Sequence, residues 1–179
     1  MHPDMEQCLI SAGEIQAKVK VMAQRISADY RGKNLLVVGI LKGAVLFMAD
    51  LVRALDIPVC IDFIAVSSYG SSTESSGVVR IMKDLDQSIE GKHVLIVEDI
   101  IDTGLTLKYL VENLETRQAA SVEVCTLLDK PDRRKIKVDV KFNGFTVPDE
   151  FLVGYGLDYN ERYRHLPEVY VLKKEVYSS

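Results

Sequence analysis

The segment VLIVEDIIDTGLTL, from Val94 to Leu107, decides the fold because a strand pattern, an acid pair and a helix-start pattern follow one another within it. The apolar run Val94–Val97 is typical of a short strand buried on both faces, and we expect it to end at Glu98-Asp99. The loop Asp102–Thr106 contains hydroxyls and a glycine, which favour the start of a helix. The segment therefore predicts a buried strand that delivers three carboxylates and a small polar loop to one place.

The acid pair Glu98-Asp99 has two interpretations. A strand followed by a capped helix needs no ligand, because Asp and Thr are common helix N-caps. Adjacent carboxylates beside a buried strand, however, repel each other and lose solvation unless a cation or a polyhydroxylated partner is present. We favour the second interpretation, which makes this pair part of a binding site.

Length and composition describe an ordinary globular chain. Its 179 residues suit a single domain, and 47% hydrophobic and 27% charged residues are typical of soluble proteins. No apolar run approaches the roughly 18 residues that a membrane span needs, and the acidic start, with Asp4 and Glu6, does not resemble a secretory signal. We therefore expect a cytoplasmic protein without a membrane partner.

Charge and cysteine content exclude further classes of protein. A net charge of −4 argues against a nucleic-acid backbone as the main partner, and we predict none. The basic cluster Lys130–Lys137 has a solvated surface as its default explanation. Three separated cysteines suggest neither a disulfide framework nor a zinc site, and the three histidines show no spacing typical of metal ligands.

Helical and strand patterns alternate along the chain, which predicts an α/β fold with a parallel sheet flanked by helices. Helices are predicted at residues 12–30, about 44–55 and after residue 106. Strands are predicted at residues 35–40, 59–66, 78–82, 94–97, 122–128, 138–140 and 167–172. Residues 142–144 are predicted to turn, and the aromatic, glycine-rich part of the last forty residues is expected to form a small flap over the sheet edge.

Four polar segments each follow the carboxyl end of a predicted strand. They are Lys42-Gly43, Ser67–Gly77, Glu98–Thr106 and Asp129-Lys130. Such ends share one edge of a parallel sheet, where ligands bind, and a loop at a helix start favours a phosphorylated ligand. Two alternatives remain open here. Lys42 could simply point to solvent in a tight turn, and Ser67–Gly77 could be a passive linker instead of a mobile lid.

The opening segment resembles the phosphoribosyltransferase signature, in which a hydrophobic strand and two acids precede an acid-Thr-Gly-x-Thr loop. Further stretches are similar to the hypoxanthine-guanine branch of that family. They are Leu41-Lys42-Gly43, Ser68-Tyr69, Glu98–Gly104, Leu128-Asp129-Lys130 and Phe151–Arg164. Five motifs in order are far more specific than one. The resemblance implies a single domain, 1–179, with a core at about 35–140 and a hood made by the N-terminal residues and about 141–179.

The activity implied by the resemblance is transfer of ribose 5-phosphate from 5-phosphoribosyl-1-pyrophosphate to a 6-oxopurine, with Mg²⁺ as cofactor. The implied donor-binding residues are Lys42, Gly43, Glu98, Asp99, Asp102, Thr103, Gly104, Leu105, Thr106 and Arg164. The implied metal ligands are Glu98, Asp99 and Asp158. Many relatives have a lysine at the position of Leu105, so phosphate binding there would depend on backbone amides and threonine hydroxyls.

The remaining implied roles concern the base and the reaction. Asp102 would be the general base, and Lys130 would donate to the 6-oxo group, which selects against a 6-amino purine. The purine would contact Lys130, Phe151, Leu152 and Asp158, and Ser68 with Tyr69 would cover the reacting centre as a lid. The resemblance also implies a cis peptide at Leu41-Lys42 and a homodimer or homotetramer.

Two other functions stay open at this stage. The same fold serves regulators that bind nucleotide and RNA, for which the basic cluster Lys130–Lys137 would be the relevant feature. The full set of site residues, which a pure binder does not need, argues against that function. An enzyme that prefers xanthine is the second alternative, because base preference depends on a few contacts whose geometry the sequence does not determine.

Overall fold

The structure is a computed structural model and describes residues 1–68 and 79–178. Its strands are β1 (Met5–Ile10), β2 (Leu35–Leu41), β3 (Cys60–Ser68), β4 (Val79–Lys83), β5 (His93–Ile101), β6 (Ser121–Asp129), β7 (Phe142–Thr146), β8 (Leu152–Val153) and β9 (Val169–Leu172). Its helices are α1 (Ala12–Tyr30), α2 (Val45–Ala54), α3 (Leu105–Glu115) and α4 (Lys174–Tyr177), and a 3-10 turn spans Pro131–Arg133. None of the helices in these described ranges has the length and apolar character to cross a membrane.

The larger sheet has six strands in the order β4-β3-β2-β5-β6-β7. All neighbours are parallel except β3 and β4, which pair antiparallel at one edge. Helices α1 and α2 cover one face and α3 covers the other, so the central strands are buried on both faces. The predicted α/β class with a mostly parallel sheet is confirmed.

Alternate residues of each central strand enter two different cores. Val37 of β2 packs with α1 and α2, whereas Val38 packs with α3. The boundaries of α1 follow from its sequence, because Ser11 and Glu14 form a capping box in which each side chain accepts a hydrogen bond from the other residue's backbone N–H. The predicted helix at residues 12–30 is confirmed.

Strand β5 continues four residues beyond its predicted end at Val97, so the acid pair lies inside the strand rather than after it. Neighbouring strand β6 is long enough to pair with this extension, and Glu98 lies opposite Thr126 while Ile101 lies opposite Asp129. The Asp or Thr cap of the interpretation that was not favoured is absent. The N-cap of α3 is Gly104, with φ of 87° and no side-chain capping bond.

The strand predicted at residues 138–140 and the turn at 142–144 are both wrong. The strand at this edge is β7, and Phe142 at its start is fully buried with its ring 6.3 Å from that of Tyr30. Val138 and Val140 are only half-buried and pack against the α3 side of the sheet. Their alternating pattern records this packing rather than a strand.

A second, three-stranded antiparallel sheet has the order β1-β9-β8. It joins the two ends of the chain, since Met5 of β1 lies opposite Leu172 of β9. Strand β1 was not predicted, whereas β9 falls within the predicted strand at 167–172. This sheet and the loop after β8 form the predicted hood, whose Gly156 packs against Gly43 at the carboxyl edge of the larger sheet. The proposed boundary between core and hood stays a prediction.

Candidate active site

The acid pair on β5 holds two carboxyl groups in a place where burial and mutual repulsion disfavour their ionised forms. The Asp99 backbone N–H donates to Glu98 Oε1 at 3.1 Å, and the Ile100 N–H donates to Asp99 Oδ1 at 2.7 Å. Burial raises the pKa of the Glu98 carboxyl well above its usual range, and the charge of Asp99 raises it further. Burial also raises the pKa of the Asp99 carboxyl. Two ionised carboxylates in this position call for a positive partner.

The donor set of this pair fits a magnesium ion. Within residues 1–68 and 79–178, no cluster of three or more His, Cys, Asp or Glu side chains is placed to form a complete protein cage for a metal. Magnesium usually binds through one or two carboxylates, waters and the phosphates of a substrate. Glu98 and Asp99 provide such a pair, and no ion pair to a described lysine or arginine occupies them.

The turn from β5 to α3 presents a helix N-terminus beside the acid pair. The first amides of a helix have no partner within it and carry partial positive charge. The Leu105 N–H is turned toward Thr103 Oγ1 at 3.4 Å. A Cβ at Gly104 would lie 3.0 Å from Ile136 O, so the backbone that follows the 3-10 turn packs directly on this loop.

The loop Leu41-Lys42-Gly43 lies between the acid pair and the hood. Its Leu41–Lys42 peptide bond is cis, in agreement with the expectation from the resemblance. A side chain at Gly43 would overlap Asp99 Oδ2, and a side chain at Gly156 would overlap Gly43 O. Neither glycine therefore has room for a Cβ: the obstacle is a carboxylate at Gly43 and a backbone oxygen at Gly156.

A network of charges connects this loop to the hood. Lys42 Nζ lies 3.0 Å from Glu161 Oε2, and Arg164 Nη2 lies 3.1 Å from Glu161 Oε1 and 3.5 Å from Asp158 Oδ1. The Arg164 guanidinium also donates through Nη1 to Gly156 O at 2.7 Å. Its Nε is buried and has no hydrogen-bond partner among the described residues. The hydrogen bond from Lys42 is the main cause that lowers the pKa of the Glu161 carboxyl.

A cavity of about 240 Å³ lies over the β5–α3 turn. Its lining residues are Ile40, Val66, Glu98, Asp99, Ile100, Ile101, Asp102, Thr103, Gly104, Thr106 and Leu107. Carboxylates, hydroxyls and a helix N-terminus together suit a sugar phosphate. Four predicted donor residues do not line this cavity: Lys42, Gly43, Leu105 and Arg164. Gly43 nevertheless packs against the Asp99 carboxylate.

A second cavity, of about 400 Å³, lies on the other side of Asp102. Its lining residues are Ile100, Asp102, Lys130, Arg133, Asp149, Glu150, Phe151, Leu152, Leu157, Asp158 and Tyr177. All four residues predicted to contact a purine are present in this set. Ile100 and Asp102 line both cavities, so Asp102 lies where the two cavities adjoin.

Lys130 and Phe151 give the larger cavity its character. Lys130 is only 8% exposed, and burial lowers the pKa of its ammonium. The Phe151 ring stacks on Tyr177, with ring centroids 4.7 Å apart and planes 25° apart. Tyr177 was not predicted as a site residue, because nothing in the polar C-terminal tail indicates that it reaches this cavity.

The basic cluster Lys130–Lys137 is not simply a solvated surface, as its default explanation held. Arg133 Nε donates to Asp102 Oδ1 at 3.0 Å, and Arg134 Nε approaches Asp102 O at 3.4 Å. Arg134 also pairs with Asp129. These contacts hold the β5–α3 turn against the 3-10 turn that follows β6. Arg133 also lines the larger cavity, and the sequence prediction did not include it.

Most of the predicted lid lies outside the described residues. Ser68 is the last residue of β3, and Tyr69, with the remainder of residues 69–78, lies outside the described residues. The other predicted positions converge from four places: the loop after β2, strand β5 with its turn, the end of β6 and the hood. This convergence is the arrangement expected at the carboxyl edge of a parallel sheet.

Comparison with known proteins identifies the family. A sequence model of the phosphoribosyl transferase domain matches residues 11–160. The chain belongs to the phosphoribosyltransferase family. The hypoxanthine-guanine phosphoribosyltransferase of Bacillus subtilis is 55% identical over 179 residues, which cover 100% of this chain and 99% of that protein.

Two further relatives define how far this similarity extends. The bifunctional protein TilS/HprT of Listeria innocua is 53% identical over 178 residues, and this chain spans only 28% of its length. A crystal structure of a hypoxanthine phosphoribosyltransferase from Staphylococcus aureus superposes with a TM-score of 0.97 at 51% identity, covering 100% of this chain and 97% of that chain. The phosphoribosyltransferase fold predicted from the motifs is confirmed.

Proposed function

We propose that this phosphoribosyltransferase transfers the phosphoribosyl group of 5-phosphoribosyl-1-pyrophosphate to hypoxanthine, guanine or both, giving IMP or GMP and pyrophosphate in purine salvage. The observation that carries the proposal is the pair of adjoining cavities that share Asp102. One cavity has the groups that suit a sugar phosphate and the other has those that suit a 6-oxopurine. The relatives named for this activity match nearly the whole chain.

The donor binds at the smaller cavity in this proposal. Its 5′-phosphate lies at the N-terminus of α3, where amides and the hydroxyls of Thr103 and Thr106 receive a dianion. Leu105 contributes its backbone only, since its side chain carries no charge. The ribose hydroxyls lie against Glu98 and Asp99, whose paired burial favours a polyhydroxylated partner with a cation.

Magnesium is the cofactor in this proposal, held by Glu98 and Asp99, with Asp158 as a ligand for a second ion. Magnesium bound there would supply positive charge that offsets the charge of the donor and of the departing pyrophosphate. The residues of the chain that face the same charge are Lys42 and Arg164, which converge on Glu161 from the core and from the hood. Preorganised cations at a departing anion lower the barrier most effectively when they need little rearrangement.

The base binds in the larger cavity. Phe151 provides an aromatic face for stacking, backbone groups near Leu152 contact the base edge, and Asp158 lies on the same wall. The buried Lys130 ammonium can only donate hydrogen bonds. It therefore donates to a 6-oxo group and has no acceptor to offer a 6-amino group.

Asp102 is the general base in this proposal. It stands at the junction of the cavities, where it receives the proton from the purine nitrogen next to the new glycosidic bond. Arg133 holds Asp102 Oδ1, which leaves the second carboxylate oxygen for this task. The segment Ser67–Gly77, with Ser68 and Tyr69 over the reacting centre, is proposed as the lid, since excluding water protects an oxocarbenium-like centre from hydrolysis.

The experiment that tests the proposal combines two measurements on the same protein. Nucleotide formation from hypoxanthine, guanine or xanthine is followed in the presence of magnesium and 5-phosphoribosyl-1-pyrophosphate, and filter binding measures RNA affinity at physiological salt. We expect turnover and weak RNA binding, because Arg133 and Arg134 are engaged with the β5–α3 turn. Tight RNA binding without turnover would support the regulatory alternative instead. A rate with xanthine above both other bases would support the xanthine alternative.

Assembly and location complete the proposal. A homodimer or homotetramer, implied by the family resemblance, and a cytoplasmic location, expected from the sequence, both stay predictions. Sedimentation at several protein concentrations distinguishes a dimer from a tetramer.

A further inference from the structure

One carboxylate occupies both cations that the proposed function assigns to pyrophosphate. Glu161 Oε2 lies 3.0 Å from Lys42 Nζ, and Glu161 Oε1 lies 3.1 Å from Arg164 Nη2. The two cations come from different parts of the fold, since Lys42 follows β2 in the core and Arg164 lies in the hood. Glu161 is therefore an anionic bridge between them, in the place that the proposed function gives to an anion.

The backbone of Glu161 is held firmly while its side chain is not. The Glu161 N–H donates to Asp158 Oδ2 at 2.9 Å, and the residue adopts a positive φ of 61° in the tight turn closed by the bridge between Tyr159 and Arg162. The side chains of Glu161 and Lys42 are 64% and 68% exposed, whereas that of Arg164 is 26% exposed, so the carboxylate is an exposed member of both ion pairs. Ion pairs between exposed groups are weak and exchange readily. The turn thus places a replaceable carboxylate at a fixed point.

We propose that Glu161 competes with pyrophosphate for Lys42 and Arg164 and so tunes the affinity of the site for the pyrophosphate group. The inference rests on the proposed function, which assigns these two cations to that group. When the donor binds, its pyrophosphate takes over both ion pairs and the Glu161 carboxylate turns to solvent. When the product departs, Glu161 pairs with the cations again, which favours release of pyrophosphate.

The competition depends on the negative charge of the Glu161 side chain and not on its shape. A glutamine at position 161 keeps the size of the side chain but removes the negative charge, so it competes poorly with pyrophosphate and no longer repels it. An aspartate keeps the charge but is one methylene shorter, so it reaches the two cations less well. The purine cavity does not include Glu161, so affinity for the base should not change.

The test measures the dissociation constant of magnesium pyrophosphate by calorimetry for the full chain and for Glu161→Gln. We expect Glu161→Gln to bind about 3- to 10-fold more tightly, in keeping with the strength of the ion pairs that the exposed Glu161 carboxylate makes. Glu161→Asp should lie between the two. Glu112→Gln is the matched control, because it removes one exposed carboxylate that pairs with Lys108 on the outer surface of α3. It should leave the constant unchanged.

A second comparison identifies the route of the effect. In a Lys42→Met background, Glu161→Gln should tighten binding by a smaller factor, because one of the two contested cations is already gone. Steady-state kinetics should show a lower KM for the donor with an unchanged KM for the base. A merely structural role of Glu161 would weaken binding of both substrates together.

Unchanged or weaker pyrophosphate binding in Glu161→Gln would overturn the inference. The proposed function is decided separately by turnover of a 6-oxopurine. A protein that makes nucleotide but shows no tightening would retain its function and lose this inference. A protein that shows the tightening but makes no nucleotide would retain the competition and lose the function.

Discussion

Gly43 lies so close to Asp99 that any side chain at position 43 would overlap the Asp99 carboxylate. The contact joins the loop after β2 to the acid pair of β5, two neighbouring parallel strands. It explains why glycine follows Lys42: the position has an ordinary backbone conformation but no room for a Cβ. The orientation of Asp99 therefore depends on the absence of atoms at residue 43.

The substitution Gly43→Ala should weaken donor binding more than it lowers the thermal stability of the fold. The new methyl group meets the end of the Asp99 side chain, which can rotate away, so the fold survives while the carboxylate loses its position. Misplacing a binding group by about 1 Å can cost up to roughly 100-fold in rate, and we expect a 10- to 100-fold fall in kcat/KM for the donor. Kinetics and thermal unfolding measure the two effects separately.

Gly13→Ala is the matched control for this substitution. A Cβ at Gly13 would meet only Ser11 Oγ, at 4.0 Å, and the residue lies in the first turn of α1. Activity should be unchanged and stability equal or slightly higher, because alanine favours helix. Equal activity of Gly43→Ala and the natural protein would contradict the role given to the Gly43–Asp99 contact.

Glu98→Gln should stabilise the metal-free protein while weakening magnesium-dependent donor binding. Burial and the neighbouring Asp99 raise the pKa of Glu98, so its ionised form costs folding free energy at neutral pH, and a neutral amide removes that cost. We expect a gain of roughly 0.5–2 kcal/mol, the usual size of a stabilising substitution. Chemical unfolding in the presence of a chelator measures the change in stability of Glu98→Gln. Donor binding in the presence of magnesium measures its loss of affinity. A loss of stability would show that the acid pair is not strained.

Lys130 should limit activity at high pH. Its ammonium must be charged to donate to the 6-oxo group, and burial lowers its pKa below the ordinary 10.5. Activity should therefore fall as pH rises through this lowered pKa. Over the same window the unfolded chain binds more protons at this residue than the folded one, so the contribution of Lys130 to stability rises with pH.

The measurement is kcat/KM for hypoxanthine against pH, for the natural protein and for Lys130→Arg. Because arginine stays charged, the variant should keep a larger share of its neutral-pH rate at high pH, although that rate is lower. Titration of the substrate affects both proteins equally. Identical alkaline limbs in the two profiles would exclude Lys130 as their cause.

Asp102→Asn should separate binding from chemistry. The amide keeps the size of the side chain but is a poor base, so turnover should fall by about 10²- to 10⁴-fold while donor binding stays nearly constant. Asp139→Asn is the control, because Asp139 is almost fully exposed and pairs only loosely with Lys137. Loss of binding and turnover together would mean that Asp102, held by Arg133, only supports the turn.

The parts of the fold that could be predicted are those with a strong local pattern. Helix α1 has a periodic apolar face and a capping box, and β2 is an unbroken apolar run, so both appear at their predicted places. The location of the site followed from one rule, that polar loops after parallel strands meet at one edge. Lys130 and Asp102 line one cavity for that reason.

The parts that could not be predicted depend on contacts between distant residues. The strand β1 forms because Met5 pairs with Leu172, and β5 extends through Glu98 because β6 lies beside it. Glu161 meets Lys42 across 119 positions of sequence, and no local pattern indicates that pairing. The family motifs predicted the binding groups, whereas contacts such as that between Glu161 and Lys42 are visible only in three dimensions.

The central claim is that the two cavities around Asp102 join a phosphoribosyl group to a 6-oxopurine. The most direct test mixes the protein with magnesium, 5-phosphoribosyl-1-pyrophosphate and, separately, hypoxanthine, guanine, xanthine or adenine, and measures the rate of nucleotide formation. We predict turnover with hypoxanthine, guanine or both, and none with adenine, because the Lys130 ammonium cannot accept a hydrogen bond from a 6-amino group. Absence of turnover with every 6-oxopurine would contradict the claim.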